Sequence, residues 1–409
     1  MAAVGALSLA AIALWFWRSG TPEPIPSTLI AAPLPGGVAE VAPPQPSVLR
    51  VPALPSSTVE RAWRDVDGEA VLLRPDGSHL GLTLHAGVQL KLEQLLDRTR
   101  VPYAAIVLVE PSTGAVRAFV ERAESGDPVA DGAHLVAAVA PAASIFKIVS
   151  AAALVEAGAT ADTRLCFRRA PRGLTSRHIH GTRFGLCESL ATALARSRNG
   201  AFGRASLNRL AAGDLDRVGR RFFFGEEIPF DMVIEASAID EGEGDLDRAR
   251  TAAGFRGTTL SPLHGAVIAA AIANSGQVMR PYLVARDSLQ PGLRREHEVL
   301  RQVVAPEVAA QVGAMMVETV RIGTGRKRFA RRRAVLKGMS IAGKTGTLNS
   351  HHDGVLRQNT WFVGFAPAVN PTIAISVLAV NGQQSRAIAA GIARDALATW
   401  FERPEPPAR

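Results

Sequence analysis

Cysteine is scarce in this chain, which has two cysteines among 409 residues. Two cysteines exclude a disulfide-rich scaffold and a four-thiolate metal site. Long hydrophobic runs are scarce as well: only residues 1–17 approach the length of a membrane-spanning helix, which excludes a multi-pass membrane protein. Hydrophobic residues nevertheless make up 47% of the chain, so disorder along its whole length is also excluded.

Lysine is scarce although the chain is basic. The formal net charge is +9, yet only five of the 46 Lys and Arg residues are lysines. A lysine in such a sequence is a candidate for chemistry that needs an amine able to lose its proton, because arginine cannot do so. The net charge fits attraction to anionic lipids or to an acidic polymer, and no nucleic-acid-binding motif accompanies it.

The composition along the chain predicts five segments. The first is a transmembrane anchor, because the apolar run ends in Trp15, Trp17 and Arg18, which are typical of a membrane–water interface. A cleaved signal peptide is the alternative. The segments are an anchor (1–18), a proline-rich extended linker (19–60), a short N-terminal segment (61–81), a globular domain (82–402) and a tail (403–409). We therefore expect a single-pass protein of the cell (inner) membrane with an extracytoplasmic, periplasmic domain.

The order of the predicted elements indicates a mixed α/β fold. Apolar runs at 104–109 and 115–120 around a Pro-Ser-Thr-Gly turn predict a β-hairpin, and residues 360–365 and 372–380 predict two further strands. A helix is predicted over 385–401, and the alanine-rich interior between the two strand pairs is mostly helical. Strands at both ends with helices between them predict one central antiparallel sheet with an inserted helical lobe.

The first chemical candidates are Ser144 and Lys147 in Pro-Ala-Ala-Ser-Ile-Phe-Lys. The apolar run that continues to Val155 predicts a buried helix, with Ser144 in its first turn and Lys147 on the same face. Burial lowers the pKa of a lysine, and the helix N-terminus favours negative charge on the serine, so the pair is a candidate nucleophile and base. A capping serine near a surface lysine would show the same pattern, so this motif alone does not distinguish a catalytic pair from a structural one.

Two further patterns bear on the same chemistry. Lys344-Thr-Gly-Thr347 follows a short β run and combines an ammonium group with hydroxyls suited to a carboxylate. Residues 338–345 also match a phosphate-loop pattern, but no apolar strand precedes them, and a loop rather than a helix is predicted after Thr347. Ser197-Arg-Asn199 follows a predicted helix over 188–194 and offers a hydroxyl and an amide.

The three patterns together are informative. Ser-x-x-Lys, Ser-x-Asn and Lys-Thr-Gly, in this order, are the motif set of penicillin-binding proteins and class A β-lactamases. The chain resembles the transpeptidase domain of penicillin-binding proteins over residues 82–402. Three more segments are similar to that family: Thr259-Leu-Ser-Pro-Leu, Gly323-Thr-Gly325 and Trp361-Phe-Val-Gly-Phe. The resemblance implies a β-lactamase/transpeptidase-like fold.

The resemblance also implies a serine acyl-enzyme mechanism without a cofactor or a metal ion. Ser144 would attack a stem-peptide carbonyl, Lys147 would accept its proton, and Ser197 would relay a proton to the leaving amine. The implied substrate-binding residues are Asn199, Lys344, Thr345, Gly346 and Thr347. The backbone N–H groups of Ser144 and Thr347 would form the oxyanion hole.

The implied activity is that of a peptidoglycan D,D-transpeptidase. Its expected partners are peptidoglycan stem peptides, β-lactam antibiotics, the membrane and a cell-wall synthesis complex, with no nucleic acid. The alternatives are a D,D-carboxypeptidase, a class D-like β-lactamase and a non-catalytic β-lactam sensor or scaffold.

Cys166 and Cys187 bracket His178 and His180. All four residue types are potential zinc ligands, but their spacing matches no common zinc finger. An extracytoplasmic location favours oxidation, so a disulfide is the preferred prediction, with free thiols or a metal site as alternatives. The segment His351-His352-Asp353 and the basic run 326–337 are predicted to be exposed loops.

Overall fold

The computed structural model of the chain describes residues 63–66, 68–124, 135–170, 173–180, 185–292, 294–331, 333–352, 354–382 and 388–403. These residues belong to one compact unit. The predicted anchor, the proline-rich linker and most of the predicted tail lie outside the described residues. Within the described part of the chain, no helix is long and apolar enough to cross a membrane.

The strands are β1 (Trp63–Val66), β2 (Glu69–Leu73), β3 (His79–Leu82), β4 (Tyr103–Val109), β5 (Val116–Ala123), β6 (Ala140–Pro141), β7 (Arg164–Phe167), β8 (Leu186–Ser189), β9 (Thr259–Leu260), β10 (Gln277–Met279), β11 (Val284–Asp287), β12 (Val299–Gln302), β13 (Ala342–His352), β14 (Val355–Ala366) and β15 (Ile373–Asn381). The α-helices are α1 (Ala86–Asp97), α2 (Lys147–Glu156), α3 (Ser176–Ile179), α4 (Leu190–Ala195), α5 (Asn199–Arg209), α6 (Asp214–Arg221), α7 (Asp245–Ala252), α8 (Pro262–Ala273), α9 (Pro306–Arg321), α10 (Arg326–Phe329) and α11 (Ala389–Phe401). Two 3₁₀-helices span Ala143–Phe146 and Ala334–Leu336.

The central sheet has the strand order β13-β14-β15-β4-β5. All of its ladders are antiparallel, and Val377 of β15 lies opposite Ile106 of β4. The strands from near the two ends of the described chain therefore meet at β15 and β4. The prediction of a mixed α/β fold with an antiparallel sheet is confirmed.

Strand β4 is apolar throughout because both of its faces are buried. Tyr103, Ala105 and Val107 contribute to the core shared with the inserted helices, whereas Ala104 and Ile106 contribute to a second core that includes α1 and α11. Successive side chains of a strand point to opposite faces, so a strand covered on both sides has no place for polar residues. The uninterrupted apolar run is the sequence signature of this central position.

The inserted lobe rests on the sheet through α8. Ser261 caps this helix by accepting a hydrogen bond from the backbone N–H of His264 at 3.1 Å, and Pro262 occupies the first turn, where its missing N–H costs nothing. Residues 262–272 are buried, and the helix contacts β4, β14 and β15. A helix without a polar face is stable only inside the protein, and α8 supports the lobe from within.

The described part of the predicted N-terminal segment adds strands to a second sheet. Its order is β1-β2-β3-β11, with Leu82 of β3 opposite Val284 of β11. Arg74 donates two hydrogen bonds to the buried carboxylate of Asp287, at 2.8 and 2.7 Å. These contacts attach the segment to the lobe.

Three local predictions are wrong. The residues after Thr347 form no loop, because β13 continues to His352 in an eleven-residue ladder with β14. The basic run contains α10 and a 3₁₀-helix rather than only loop, since Phe329 and Leu336 insert into the second core. Glu188 lies in β8, not in a helix. Asp353, the last residue of the predicted His351-His352-Asp353 loop, lies outside the described residues.

The helix predicted over 385–401 is α11, which begins at Ala389.

Candidate active site

Ser144 lies in the tight 3₁₀ turn that leads into α2. The next two residues, Ile145 and Phe146, are buried, whereas Ser144 is partly exposed. Ala143 has a φ of +49°, a left-handed conformation that is uncommon for a residue with a side chain. The surroundings must hold this conformation, and they do so by close contact.

Three residues from distant segments fix the Ser144 turn. A Cβ added to Gly254, whose φ is +77°, would lie 1.8 Å from the carbonyl oxygen of Ala143. The indole Nε1 of Trp361 donates a hydrogen bond to the carbonyl of Pro141 at 3.0 Å. Gly346 of β13 lies so close that its added Cβ would be 3.4 Å from the Cβ of Ala143. Only glycine permits the approach at position 254.

Lys147 has no exposed surface, and its terminal amine reaches three oxygen atoms. Nζ lies 2.8 Å from Oγ of Ser144, and it donates to Oδ1 of Asn199 at 3.0 Å and to the carbonyl of Ala253 at 2.6 Å. These partners come from three segments of the chain. They fix the position of the amine beside the serine hydroxyl.

The surroundings of Lys147 favour its neutral form. Burial lowers the pKa of Lys147 well below the ordinary 10.5, and the positive charge of Lys344 lowers that pKa further. The ring centroids of Phe202 and Phe255 lie 5.8 and 5.9 Å from Nζ. The amine is therefore available as a proton acceptor.

Ser197 and Asn199 lie in the turn between α4 and α5. Ser197 has a φ of +53° and is partly exposed, and its backbone N–H donates to the carbonyl of Leu194 at 3.0 Å. Asn199 is the first residue of α5, and its Nδ2 donates to the carbonyl of Ala170 at 2.9 Å. This bond assigns the amide orientation that turns Oδ1 toward Lys147.

Lys344 of β13 is the second lysine with no exposed surface. Its Nζ donates to Oγ of Ser197 at 3.0 Å and to the carbonyl of Thr345 at 2.8 Å. Burial lowers the pKa of Lys344 from 10.5 to about 7. Near neutral pH, a nearby anion can therefore decide whether this group is charged.

The two threonines of the Lys-Thr-Gly-Thr segment lie beside Lys344. The hydroxyl of Thr345 forms a short hydrogen bond with that of Thr324, whose backbone N–H donates to the carbonyl of Ala195 at 3.0 Å. Thr347 is exposed, and its hydroxyl donates to the carbonyl of Gly346 at 2.8 Å. The segment thus presents hydroxyls at the edge strand of the sheet.

The hydrogen bonds join the predicted residues into two groups. One contains Ser144, Lys147 and Asn199, and the other contains Ser197 and Lys344. The groups meet in the short turn that carries both Ser197 and Asn199. Each group therefore combines a hydroxyl with a buried amine.

Cys166 and Cys187 are bonded to each other, with the sulfur atoms 2.05 Å apart, and they join β7 to β8. His178 contacts Thr175 instead, and His180 lies 3.9 Å from Asp245. Within the described residues, no group of three or more His, Cys, Asp or Glu side chains could hold a metal ion.

Sequence reasoning missed residues that complete the site. Thr324 has one signal, the Gly323-Thr-Gly325 segment, whose similarity to a family segment does not indicate a role for the threonine. The Ala253 carbonyl and Gly254 had none, because a backbone group's role depends only on where the chain passes. Both residues follow α7, far from Ser144 in the sequence.

Comparison with known proteins identifies the family. A protein-family model described as the penicillin binding protein transpeptidase domain matches residues 104–398, which is more than half of the chain. The chain belongs to this family. Penicillin-binding proteins that match it include the peptidoglycan D,D-transpeptidase PbpA of Mycobacterium tuberculosis, 29% identical over 314 residues, which cover 68% of this chain and 62% of PbpA. PbpA of Mycolicibacterium smegmatis is 31% identical over 322 residues, with the same coverage of 68% and 62%.

Solved structures of penicillin-binding proteins share the fold. The crystal structure of PBPA from M. tuberculosis superposes with a TM-score of 0.66 at 25% identity, covering 79% of this chain and 80% of that one. Its ceftriaxone acyl-enzyme complex has a TM-score of 0.67 at 26% identity and covers 79% and 80%. The chain spans about 62% of the length of the PbpA relatives.

Proposed function

We propose that this penicillin-binding protein is a serine D,D-transpeptidase that cross-links peptidoglycan stem peptides and is acylated by β-lactams. The observation that carries the proposal is the 2.8 Å contact between Oγ of Ser144 and Nζ of Lys147, a fully buried amine with a lowered pKa. A serine hydroxyl becomes a nucleophile when an adjacent base can take its proton. The name and the acyl-enzyme structures of PbpA support the same chemistry.

The contacts of Lys147 suit a neutral amine that acts as a base. A neutral amine has two N–H donors and one lone pair, and two of its partners, Oδ1 of Asn199 and the carbonyl of Ala253, only accept hydrogen bonds. The two N–H groups bind these oxygens, which leaves the lone pair directed at the Ser144 hydroxyl. This arrangement orients the base before substrate arrives.

In the proposed acylation, Oγ of Ser144 attacks the carbonyl carbon of the penultimate D-alanine while its proton passes to Lys147. The carbon–nitrogen bond to the terminal D-alanine then breaks as the leaving nitrogen takes a proton from the Ser197 hydroxyl, which in turn receives the proton that Lys147 took from Ser144. A β-lactam follows the same course, with its ring amide as the bond that breaks. An acceptor amine on a second stem peptide then attacks the serine ester, so that the new amide bond forms as the bond to Oγ breaks, and the proton lost by the amine returns to Oγ of Ser144 through Lys147.

Substrate recognition is proposed for the Lys-Thr-Gly-Thr strand. A terminal carboxylate would bind Lys344, Thr345 and Thr347, and the backbone N–H groups of Ser144 and Thr347 would stabilise the oxyanion. Gly346 would admit the substrate backbone. Asn199 keeps a second N–H and a second lone pair for the peptide beyond its two bonds within the protein.

We further propose that residues 1–18 anchor the protein in the cell membrane, with the domain outside the cytoplasm and in reach of a cell-wall synthesis complex. The support is the apolar run that ends in Trp15, Trp17 and Arg18. Deleting residues 1–18 should move the protein from the membrane fraction to the soluble fraction of cells. Retention in the membrane fraction would refute the anchor.

The activity is tested by intact-mass spectrometry of the full chain in detergent, incubated with penicillin beside Ser144→Ala. We expect one covalent penicillin on the wild type and none on the variant, with both proteins folded by circular dichroism. A donor peptide ending in D-Ala-D-Ala and an acceptor amine should then give a cross-linked product.

The alternatives give different outcomes in the same tests. Release of D-alanine without a cross-linked product indicates a carboxypeptidase, and rapid penicillin hydrolysis without a lasting adduct indicates a β-lactamase. A stable adduct with no peptide turnover indicates a sensor. An adduct that persists in Ser144→Ala would refute the assignment of the nucleophile.

A further inference from the structure

We propose that Glu188 is a positioning residue that holds the Ser197–Asn199 turn by binding both arginines that flank Ser197. The inference rests on the proposed function, because it concerns how the acylation machinery is kept in place. The sequence Arg196-Ser197-Arg198-Asn199 places one basic side chain on each side of the serine. A carboxylate that binds both side chains restrains the turn at two points.

The carboxylate of Glu188 accepts three hydrogen bonds from these arginines. Arg196 Nη1 donates to Oε1 at 2.8 Å, and Arg198 donates through Nη2 to Oε1 and through Nε to Oε2, both at 2.9 Å. Only 6% of the Glu188 side chain is exposed. A two-point bond between a guanidinium and a carboxylate fixes direction as well as distance.

Glu188 is an anion at neutral pH. Burial alone would raise the pKa of its carboxyl, but hydrogen bonds from Arg198 and then Arg196 outweigh burial, and the pKa lies below its ordinary value. One negative charge therefore faces two positive charges, so removing it leaves two like charges side by side in a partly buried place.

The turn needs such a restraint. Ser197 has a φ of +53°, which is unfavourable for a residue with a side chain, and α4 before it has only six residues. Yet Oγ of Ser197 must meet Nζ of Lys344, and Oδ1 of Asn199 must meet Nζ of Lys147. Both buried amines of the site depend on the geometry of this turn.

Glu188 is itself held rigidly. It lies opposite Leu165 in the ladder of β8 with β7, and the preceding residue, Cys187, is bonded to Cys166 in the same ladder. The following residue, Ser189, caps α4 by accepting a hydrogen bond from the backbone N–H of Thr192 at 3.2 Å. The carboxylate is thus fixed to a disulfide-linked pair of strands at one end of α4 and binds the turn at the other end.

The test measures acylation of the full chain in detergent by a fluorescent penicillin, as the second-order rate constant. Glu188→Gln should lower this rate constant by between about 10-fold and 100-fold, since small displacements of catalytic groups cost that much. The matched control is Glu402→Gln, which removes an exposed carboxylate paired with Arg333 at 2.9 Å on the other side of the sheet. The control should keep the wild-type rate constant.

A second variant set shows whether Glu188 acts through the arginines. If it does, Arg196→Gln with Arg198→Gln should slow acylation, and adding Glu188→Gln to that pair should cause no further loss. If Glu188→Gln lowers the acylation rate constant by the same factor in the arginine variant as in the wild type, the proposal is overturned. A general destabilisation would multiply in this way, so the coupling separates positioning from a merely structural role.

Hydrogen exchange at the amides of residues 196–199 gives a readout that does not require acylation. Glu188→Gln should speed exchange at these amides and leave α11 unchanged, and unchanged protection would overturn the proposal. If the wild type is not acylated, the proposed function fails while hydrogen exchange still tests the restraint. If the wild type is acylated and Glu188→Gln matches it, only this inference fails.

Discussion

Replacing Lys344 by methionine should remove a pH dependence of stability that the wild type carries. Lys344 has no exposed surface, and burial lowers its pKa from 10.5 to about 7. The unfolded chain therefore binds more protons at this position than the folded protein between pH 7 and pH 10.5. The free energy of unfolding of the wild type must rise with pH across that window and lose this contribution as the pH falls toward 7.

The size of the effect follows from the two pKa values. The slope approaches about 1.4 kcal/mol per pH unit once folded Lys344 is neutral, and it is half of that near pH 7. Between pH 7 and pH 9, Lys344 should raise the free energy of unfolding by about 2 kcal/mol. Methionine does not titrate, so Lys344→Met should lack this rise. The pKa of Lys147 stays low in the variant because burial, not Lys344, is the larger cause of its shift.

The assay is urea unfolding of both proteins at pH 7, 8 and 9, compared as the difference in free energy at each pH. The comparison is needed because other groups contribute equally to both proteins. Lys91→Met, at an exposed position on α1, is the matched control and should follow the wild type. A wild-type-minus-variant difference that stays constant from pH 7 to pH 9 would refute the reasoning, since it would mean that folded Lys344 keeps its proton.

Two further changes test the supports of the site. Gly254→Ala should lower the free energy of unfolding by about 2 kcal/mol or more and slow acylation, because its Cβ would clash with the Ala143 carbonyl at a φ of +77°. Gly185→Ala, where no atom lies within 4 Å of the added Cβ, should change stability by less than about 0.5 kcal/mol in the same urea experiment, and equal losses would contradict the argument. Replacing Cys166 and Cys187 by serine should lower the free energy of unfolding by about 3 kcal/mol through the loss of a 21-residue loop closure. A reductant should lower the melting temperature of the wild type and leave the serine variant unchanged, whereas an equal effect on both would show that this bond does not stabilise the protein.

The fold class and the family were accessible from the sequence because their signals are local. Residues 104–109 form an apolar run long enough for a strand and too short for a helix, and the structure places them in β4 with both faces covered. The three motifs are patterns of neighbouring residues, and their order along the chain is itself informative. Ser144 and Lys147 could be paired because they lie three positions apart at the start of the predicted helix.

Other local predictions failed because the deciding contact is distant in the sequence. Residues 348–352 have turn-like composition, yet pairing with β14 makes them a strand. The basic run after Gly325 looks solvent-exposed, but Phe329 inserts into the core beneath α11 and turns part of the run into a helix. Glu188 is a further example, since its pairing with Leu165 of β7, next to the Cys166–Cys187 bond, makes it part of a strand.

The sequence by itself determined which residue types could do chemistry, and in what order they occur. Only the tertiary structure decided how they meet: Lys344 reaches Ser197 across 147 residues, and Lys147 reaches the carbonyl of Ala253 across 106. The lowered pKa values of both lysines depend on the same folding, because burial is their main cause and no short pattern states which segments exclude water. Hydrogen bonding and desolvation depend on residues that only folding brings together. The motifs therefore predict which residues form the site, but not the distances between them.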